Sequence, residues 1–170
     1  MTVLGHILLE QLIKREGLIK DYININIQLQ PAGFELTLRK VFKFKSPGIL
    51  DFDNSKRKIS DVEEIPFNSQ GYVDLKPGTY KVVFNEIVKV PRDMIAIALP
   101  RSSLLRSGAT ILTAVWDPGY EGRSEALLVV FNPHGIRLFK NARLIQLIFI
   151  KASGVTRGYR GIYQYENINV

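Results

Sequence analysis

The amino-acid sequence predicts a mainly β fold, an antiparallel sandwich, barrel or jelly roll, with one short helix at its start. Short runs rich in β-branched residues recur along the chain, and turn signals containing Gly, Pro and Asn separate them. Apolar residues at helical spacing occur near the N-terminus, and the pattern after them becomes strand-like. Many short strands with few helices bury their apolar faces against one another, so we expect packed antiparallel sheets.

The first predicted element is the helix, which we expect to end at Gly17. Its apolar residues follow helical spacing: Leu4, Ile7, Leu8, Leu12 and Ile13. The predicted strands are residues 81–90, 94–99, 110–116, 127–131 and 144–150, with turns at 91–93, 117–119, 132–135 and 140–141. The polar, irregular segment 46–70 is predicted to form a long surface excursion or hairpin.

The composition is that of a single globular domain spanning residues 1–170, because 46% of the residues are apolar and 23% are charged. The chain has no cysteine, which excludes disulfides, thiolate zinc sites and cysteine nucleophiles. No apolar run is long enough to cross a membrane, and the N-terminus lacks the features of a signal peptide. We therefore expect a cytoplasmic protein without a membrane partner. The net charge of +7 favours polyanionic partners, which leaves nucleotides and nucleic acids open.

Several familiar catalytic sites are absent from the sequence. There is no GxxxxGKS/T phosphate loop and no GxGxxG that opens a helix after a strand. His6 and His134 lie far apart without metal-site spacing, and no GxSxG nucleophile elbow occurs. The missing cysteines also exclude zinc-dependent base deamination. The remaining arginines, serines, carboxylates and backbone amides suit metal-assisted phosphate chemistry.

Two short segments carry the functional signal: PRSSLLR at residues 100–106 and DPGYEG at residues 117–122. The first places Arg101 and Arg106 around two adjacent serines, a set that suits several phosphate oxygens because guanidinium groups bind them bidentately. The second places the carboxylate of Asp117 before a Pro-Gly turn. Together they suggest a polyphosphate substrate with a water or hydroxyl to activate. The alternative is an arginine-containing surface loop followed by an ordinary turn.

PRSSLLR and the stretch AVWDPGYEG resemble the second and third motifs of the superfamily of dUTP diphosphatases (dUTPases) and dCTP deaminases. QPAGFEL at residues 30–36 is similar to the first motif, and NARLIQL at residues 141–147 is similar to the fourth. The tail GIYQ at residues 161–164 weakly resembles that of the deaminase branch. The resemblance covers about residues 4–164.

The resemblance implies a distorted jelly roll, the β-clip of dUTPases, that assembles as a homotrimer with active sites at the subunit boundaries. It also implies deoxynucleoside triphosphates as substrates and Mg²⁺ as the cofactor. One branch of the superfamily hydrolyses dUTP to dUMP and pyrophosphate, another removes the amino group of dCTP without zinc, and some members do both. A flexible C-terminal lid at residues 155–170 is a further expectation.

The deaminase branch needs a glutamate in the strand after the third motif, where it moves protons. Counting from Gly122 places Leu127 at that position, and counting back from Asn132 places Val129 there. Neither aliphatic side chain can move a proton, and Glu125 is displaced unless a bulge re-aims it. The sequence therefore predicts a dUTP diphosphatase without deaminase activity. The alternatives are a dCTP deaminase, alone or bifunctional, and a non-catalytic nucleotide- or nucleic-acid-binding member of the fold; nucleic acid is not the expected partner.

The resemblance also assigns roles to individual residues. Asp117 is the base that activates water for attack on the α-phosphorus. Glu35 acts on the waters of Mg²⁺ from the outer shell, since Mg²⁺ prefers phosphate oxygens and retained waters. Trp116 is interpreted as a core residue, with packing near the nucleotide as the alternative. The predicted substrate-binding residues are Arg101, Ser102, Ser103 and Arg106 for the phosphates, Gln146 for water or phosphates, Tyr120 for the deoxyribose and Tyr163 from the lid. For Tyr120 the alternative is a simple aromatic residue at the start of a strand. For Tyr163 the alternative is a tail that packs on a neighbouring subunit.

Overall fold

The computed structural model describes residues 2–169 as a mainly β protein with a short N-terminal helix, which confirms the predicted fold class. The helices are α1 (His6–Glu16), α2 (Ile25–Gln28) and α3 (Ser102–Arg106). The strands are β1 (Ile19–Lys20), β2 (Leu29–Gln30), β3 (Gly33–Phe44), β4 (Val62–Glu64), β5 (Tyr72–Leu75), β6 (Gly78–Phe84), β7 (Ile87–Lys89), β8 (Met94–Pro100), β9 (Ala109–Leu112), β10 (Glu121–Gly122), β11 (Glu125–Val130), β12 (Ile136–Phe139) and β13 (Arg143–Lys151). No helix within residues 2–169 has the length and apolarity needed to span a membrane.

Within residues 2–169 the strands pair in antiparallel fashion and form three sheets. The largest sheet has eight strands; its path is β8-β13-β3-β6-β11-β9, and β2 and β4 also pair with β3. A three-stranded sheet has the order β1-β7-β10, and a two-stranded sheet pairs β12 with β5. The sheets surround one apolar core, in which Phe34, Phe84 and Phe149 are among the largest fully buried side chains. This arrangement agrees with the expected distorted jelly roll.

The helix α1 packs on this core through one face. Leu9 and Ile13 are buried, whereas Ile7 and Leu8 are exposed. Gly17 ends the helix with a φ of 66°, the left-handed conformation that glycine adopts at low cost. The apolar spacing therefore predicted the helix and its end correctly, but it did not predict which of the apolar side chains would be buried.

The predicted strands are present. Segments 94–99, 127–131 and 144–150 form strands whose ends differ by one or two residues, and two other segments differ more. Segment 81–90 is divided into β6 and β7 at a bend on Asn85, whose N–H donates to the carbonyl of Thr37 at 2.9 Å. Segment 110–116 is a strand only as far as Leu112, and Trp116 then forms an isolated bridge with Ala96. Segment 46–70 is a largely exposed excursion, as predicted.

The longest strand, β3, lies outside all of the predicted strands. It has 12 residues, and residues 33–38 within it are all buried. A strand buried on both faces lacks the alternation of apolar and polar residues that marks a half-exposed strand. The sequence pattern therefore did not predict the strand that carries the first motif.

Glu86 is a fully buried carboxylate at the break between β6 and β7. Its Oε1 accepts hydrogen bonds from Gln28 Nε2 at 2.7 Å and Thr37 Oγ1 at 2.6 Å, and its Oε2 accepts the Thr37 N–H at 2.8 Å. Burial raises the pKa of Glu86, and the hydrogen bonds from Thr37 and Gln28 oppose that rise. Gln28 Nε2 also donates to the carbonyl of Glu35 at 2.9 Å. The carboxylate therefore joins α2 to β3 beside the first motif.

We predict that Glu86→Ala lowers the free energy of unfolding by about 3 kcal/mol, because the buried donors of Gln28 and Thr37 lose their acceptor. Urea denaturation followed by circular dichroism measures this change. The matched control is Glu16→Ala, which removes an exposed carboxylate of α1 and should change stability little. Equal stability of the wild type and Glu86→Ala would contradict the prediction.

Candidate functional site

The PRSSLLR segment lies at the C-terminal end of β8, where the chain turns from the strand into α3. Arg101 is the residue before the helix and has an extended backbone, with φ −64° and ψ 145°. Leu104 is buried and holds the helix on the core, whereas Ser102, Ser103 and Arg106 are exposed. The structure thus places the predicted phosphate-binding residues on one short turn with access to solvent.

A buried carboxylate lies beside Arg101. Glu35 of β3 is 4% exposed, and its Oε1 accepts a hydrogen bond from Arg101 Nε at 2.5 Å. Its Oε2 accepts a hydrogen bond from Arg143 Nη1 at 2.8 Å. Arg143 is the arginine of the fourth motif and the first residue of β13. Both oxygens of Glu35 therefore face guanidinium groups, and its role toward the waters of Mg²⁺ stays a prediction.

Gln146 brings the fourth motif next to the first and second. It pairs with Glu35 of β3 on one side and with Leu99 of β8 on the other. Its side chain lies against Gly33, where an added Cβ would be 2.9 Å from Gln146 Nε2 and 2.6 Å from the carbonyl oxygen of Leu147. No larger residue fits at position 33 without a shift of the backbone. Motifs one, two and four therefore meet on three neighbouring strands.

Asp117 lies near the other end of β8. It is exposed and directly follows Trp116, whose backbone bridges Ala96. Asp117 borders a cavity of about 270 Å³, here called the Asp117 cavity. The cavity is lined by Ala114, Val115, Trp116, Asp117, Tyr120, Ser124, Glu125, Tyr159, Tyr163 and Glu166. A larger open groove of about 820 Å³ lies between segments 74–77 and 133–137 and contains none of the predicted site residues.

Within one chain, Asp117 is far from the phosphate-binding turn. Because Trp116 pairs with Ala96 in antiparallel fashion, Asp117 lies beside Ile95, whereas Arg101 follows the last residue of β8. The extended chain from Ile95 to Arg101 spans about 20 Å. A single chain thus carries two parts of the predicted site at opposite ends of one strand.

Tyr120 and Trp116 are both buried, at 5% and 4% exposure. Trp116 belongs to the hydrophobic core, which confirms its interpretation as a core residue. The hydroxyl of Tyr120 donates to Glu166 Oε1 at 2.7 Å, and its ring meets the ring of Tyr159 edge-on at 5.6 Å. The C-terminal tail therefore covers Tyr120, and the contact of this ring with deoxyribose stays a prediction.

The tail folds over the Asp117 cavity of its own chain. Gln164 Nε2 donates to the carbonyl of Gly119 at 3.0 Å, and Asn167 Nδ2 donates to the carbonyl of Arg123 at 3.1 Å. Tyr163 lines the cavity and is 40% exposed. Arg123 and Asn167 could not be predicted from the sequence, because residues that meet across more than 40 positions leave no local pattern.

The strand β11 carries Leu127 and Val129, which occupy the positions predicted for a deaminase glutamate. Glu125, Leu127 and Val129 share its half-exposed face. The pairing of β11 with β6 runs from Glu125 to Val130 without a register shift, so no bulge re-aims Glu125. The carboxylate of Glu125 is paired with Lys81 at 2.9 Å. The two positions predicted for a deaminase glutamate, Leu127 and Val129, therefore present aliphatic side chains on this face of β11.

A family model described as dCTP deaminase-like matches residues 4–152. The chain belongs to this family. A relative from Archaeoglobus fulgidus, named a probable deoxyuridine 5'-triphosphate nucleotidohydrolase, is 50% identical over 169 residues, which cover 99% of each chain. The deoxyuridine 5'-triphosphate nucleotidohydrolase of Methanocaldococcus jannaschii is 45% identical over 139 residues, which cover 81% of this chain and 87% of that relative. The resemblance seen in the motifs is thus confirmed.

The dCTP deaminase-like fold is also found in a solved structure. The crystal structure of 2'-deoxycytidine 5'-triphosphate deaminase from Agrobacterium tumefaciens matches with a TM-score of 0.65 at 23% identity. The match covers 86% of this chain and 47% of that chain. At this identity the likeness shows the common fold alone.

Glu166 occupies an unusual environment for a residue so close to the end of the chain. Burial is the main cause that raises the pKa of Glu166 to about 7, and the charge of Glu125 raises it further. The hydrogen bond from Tyr120 and the charge of Lys81 oppose this rise. In a detached tail the carboxyl returns to its ordinary pKa of 4.5. Because the docked pKa is the higher one, docking is strongest below pH 4.5 and weakens as the pH rises to about 7.

We predict that residues 159–169 are less protected from hydrogen exchange at pH 8 than at pH 5.5, after correction for the intrinsic pH dependence of exchange. Glu166→Gln should remove most of this difference, since the amide imitates the protonated carboxyl. Mass spectrometry of peptides from the tail measures the protection, and Glu16→Gln is the control. A wild-type tail whose corrected protection does not change with pH would contradict the prediction.

Proposed function

We propose that this chain is a dUTP diphosphatase, which hydrolyses dUTP to dUMP and pyrophosphate. One observation carries the proposal: an exposed carboxylate, Asp117, borders a cavity, whereas Leu127 and Val129 occupy the strand face that a deaminase needs for its glutamate. The names of the relatives at 45% and 50% identity support the same activity. Neither observation favours dCTP deamination.

In the proposed reaction Asp117 accepts a proton from water while the water oxygen bonds to the α-phosphorus. The bond from the α-phosphorus to the oxygen that bridges to the β-phosphorus breaks, and its electron pair leaves with pyrophosphate. The PRSSLLR segment holds the phosphates and offsets their charge, and Gln146 contacts the water or the phosphates. Catalysis is then mainly positioning and charge stabilisation, for which a carboxylate base is sufficient.

Mg²⁺ is the proposed cofactor. Among the residues from 2 to 169, no three His, Cys, Asp or Glu side chains are grouped as a metal site. This donor set fits an ion that is held mainly by the triphosphate and keeps most of its waters. When bound, Mg²⁺ supplies charge neutralisation at the phosphates. Glu35 is the carboxylate that the family resemblance assigns to its waters.

Tyr120 and Tyr163 are the proposed contacts of the nucleoside. Both line the cavity beside Asp117, which supports this assignment. When the tail detaches, the ring of Tyr120 is uncovered and becomes available to a deoxyribose. Residues 155–170 are accordingly proposed as a lid that opens for the substrate and closes to exclude water.

A homotrimer with shared active sites is the proposed assembly, in the cytoplasm and without a nucleic-acid partner. The separation of about 20 Å between Asp117 and Arg101 supports it, because a second copy can supply the missing part. Exposed apolar side chains near both ends of β8 provide surfaces for such contacts: Leu99, Leu105, Leu112 and Val115.

We predict that the purified protein with Mg²⁺ releases pyrophosphate from dUTP and no ammonia from dCTP. Asp117→Asn should lower turnover by about 100-fold or more while it keeps nucleotide binding, because the amide cannot accept the proton. Enzymatic assays of pyrophosphate and ammonia measure the products, and calorimetry measures binding. Ammonia from dCTP would indicate the deaminase alternative, and binding without either product would indicate the non-catalytic one.

Mixing two inactive variants tests the shared site directly. Asp117→Asn and Arg101→Ala each disable one part, so each alone should be nearly inactive. If the parts come from different chains, unfolding and refolding the variants together should restore about a quarter of wild-type activity, the share of sites with both parts intact. A mixture that stays as inactive as its components would place both residues in sites built from one chain.

A further inference from the structure

The fourth-motif Arg143 has no role in the mechanism above, yet its side chain joins that of Arg101 on one carboxylate. The side chain of Glu35 is 6% exposed, whereas those of Arg101 and Arg143 are 26% and 34% exposed. The carboxylate therefore lies beneath the surface, and the two guanidinium groups lie above it with access to solvent. We call these three residues the guanidinium pair site.

Hydrogen bonds fix both guanidinium groups in place. Arg143 Nη1 also donates to the carbonyl of Ile27 at 3.2 Å, and Arg101 Nη1 donates to the carbonyl of Arg143 at 3.4 Å. Together with the bonds to Glu35, these contacts use Nε and Nη1 of Arg101 and Nη1 of Arg143. Each guanidinium retains further N–H donors for a ligand, since arginine has five.

The charge of the guanidinium pair site suits an oxyanion. Two guanidinium groups and one carboxylate leave a net positive charge, next to the exposed serines of α3. Held arginines bind phosphate oxygens with less loss of side-chain entropy than free ones. The buried carboxylate of Glu35 can hold the two arginine side chains in place, because the backbone pairing of β3 with β13 fixes its own position.

We propose that Glu35 is a positioning residue that holds Arg101 and Arg143 as a pair, and that Arg143 is a further phosphate-binding residue. The proposal depends on the proposed function for the identity of the ligand, a phosphate chain such as that of dUTP or of the product pyrophosphate. It gives Glu35 an action through the arginines and not through the waters of Mg²⁺.

The two roles of Glu35 predict opposite effects in the absence of metal. Replacing Glu35 with glutamine removes a negative charge, which by itself favours an anion. A carboxylate that acts only on metal waters would therefore leave metal-free anion binding unchanged or tighter. A carboxylate that positions two arginines would make metal-free binding weaker, because the donors lose their fixed geometry.

The experiment is calorimetric titration of the full chain with pyrophosphate in EDTA. Glu35→Gln and Arg143→Gln should each weaken the binding of pyrophosphate by about tenfold. Arg143→Gln removes one charge-assisted contact, and Glu35→Gln removes the fixed geometry of the two arginines. The double variant should lose less than the product of the two single losses, since both act on one unit. Glu35→Asp keeps the charge and should recover part of the affinity.

The matched control is Lys151→Gln, which removes the same charge from a side chain that is paired with Asp93 at the opposite end of β13 from Arg143. Its affinity for pyrophosphate should stay within about twofold of the wild type. Thermal denaturation of every variant separates loss of fold from loss of binding. Arg143→Gln leaves Glu35 its bond to Arg101, so this variant tests the proposal even where Glu35→Gln does not fold.

Two results would overturn the proposal. Glu35→Gln that binds pyrophosphate as tightly as the wild type in EDTA, and loses affinity only with Mg²⁺, would assign Glu35 to the metal waters. Arg143→Gln that behaves like Lys151→Gln would remove Arg143 from the phosphate site. The titration needs no turnover. A failure to hydrolyse dUTP would therefore contradict the proposed function, while the binding test of Glu35 and Arg143 would remain valid.

Discussion

The backbone pairing of β13 with both β3 and β8 is the constraint on which the phosphate site depends. It sets Gln146 opposite Glu35 on one side and opposite Leu99, two residues before Arg101, on the other. Side chains alternate along a strand, so a slip of one residue would turn each of these groups to the opposite face. The fixed register is what allows residues from three distant parts of the sequence to act on one ligand.

A register shift in the same strand explains the position of Arg143. The pairing of Gln146 with Glu35 would, if continued regularly, set Arg143 opposite the buried Leu38. The shift between Arg143 and Ile145 sets it opposite Thr37 instead, two residues from Glu35 and therefore on the same face. The irregularity directs the guanidinium to the carboxylate, and it is a property of the fold that no residue type indicates.

The sequence predicted those features that are encoded locally. Turn signals and β-branched runs were enough for six of the thirteen strands in residues 2–169, namely β6 to β9, β11 and β13, and Gly17 was enough for the end of α1. The phosphate-binding residues of α3 could be predicted because they are neighbours in the sequence and lie on a single turn. The residues 33–38 escaped prediction because their burial on both faces removes the period of two.

Long-range contacts account for the other features that could not be predicted from the sequence. The ion pair between Arg101 and Glu35 joins residues 66 positions apart. Conversely, Arg101 and Asp117 are close in sequence and lie at opposite ends of a strand in the fold. Spacing along the chain therefore indicated which residues matter but not which of them meet. The contacts of the tail are unpredictable for the same reason.

The placement of Asp117 and Arg101 at the two ends of β8 has a consequence for how activity depends on concentration. On the proposed function, a separated chain holds two incomplete sites and turns over nothing, although its core is intact. Specific activity would then fall on dilution through mass action, with no loss of secondary structure. A damaged subunit would likewise impair two sites at once, so the chemistry is a property of the assembled molecule and not of the chain.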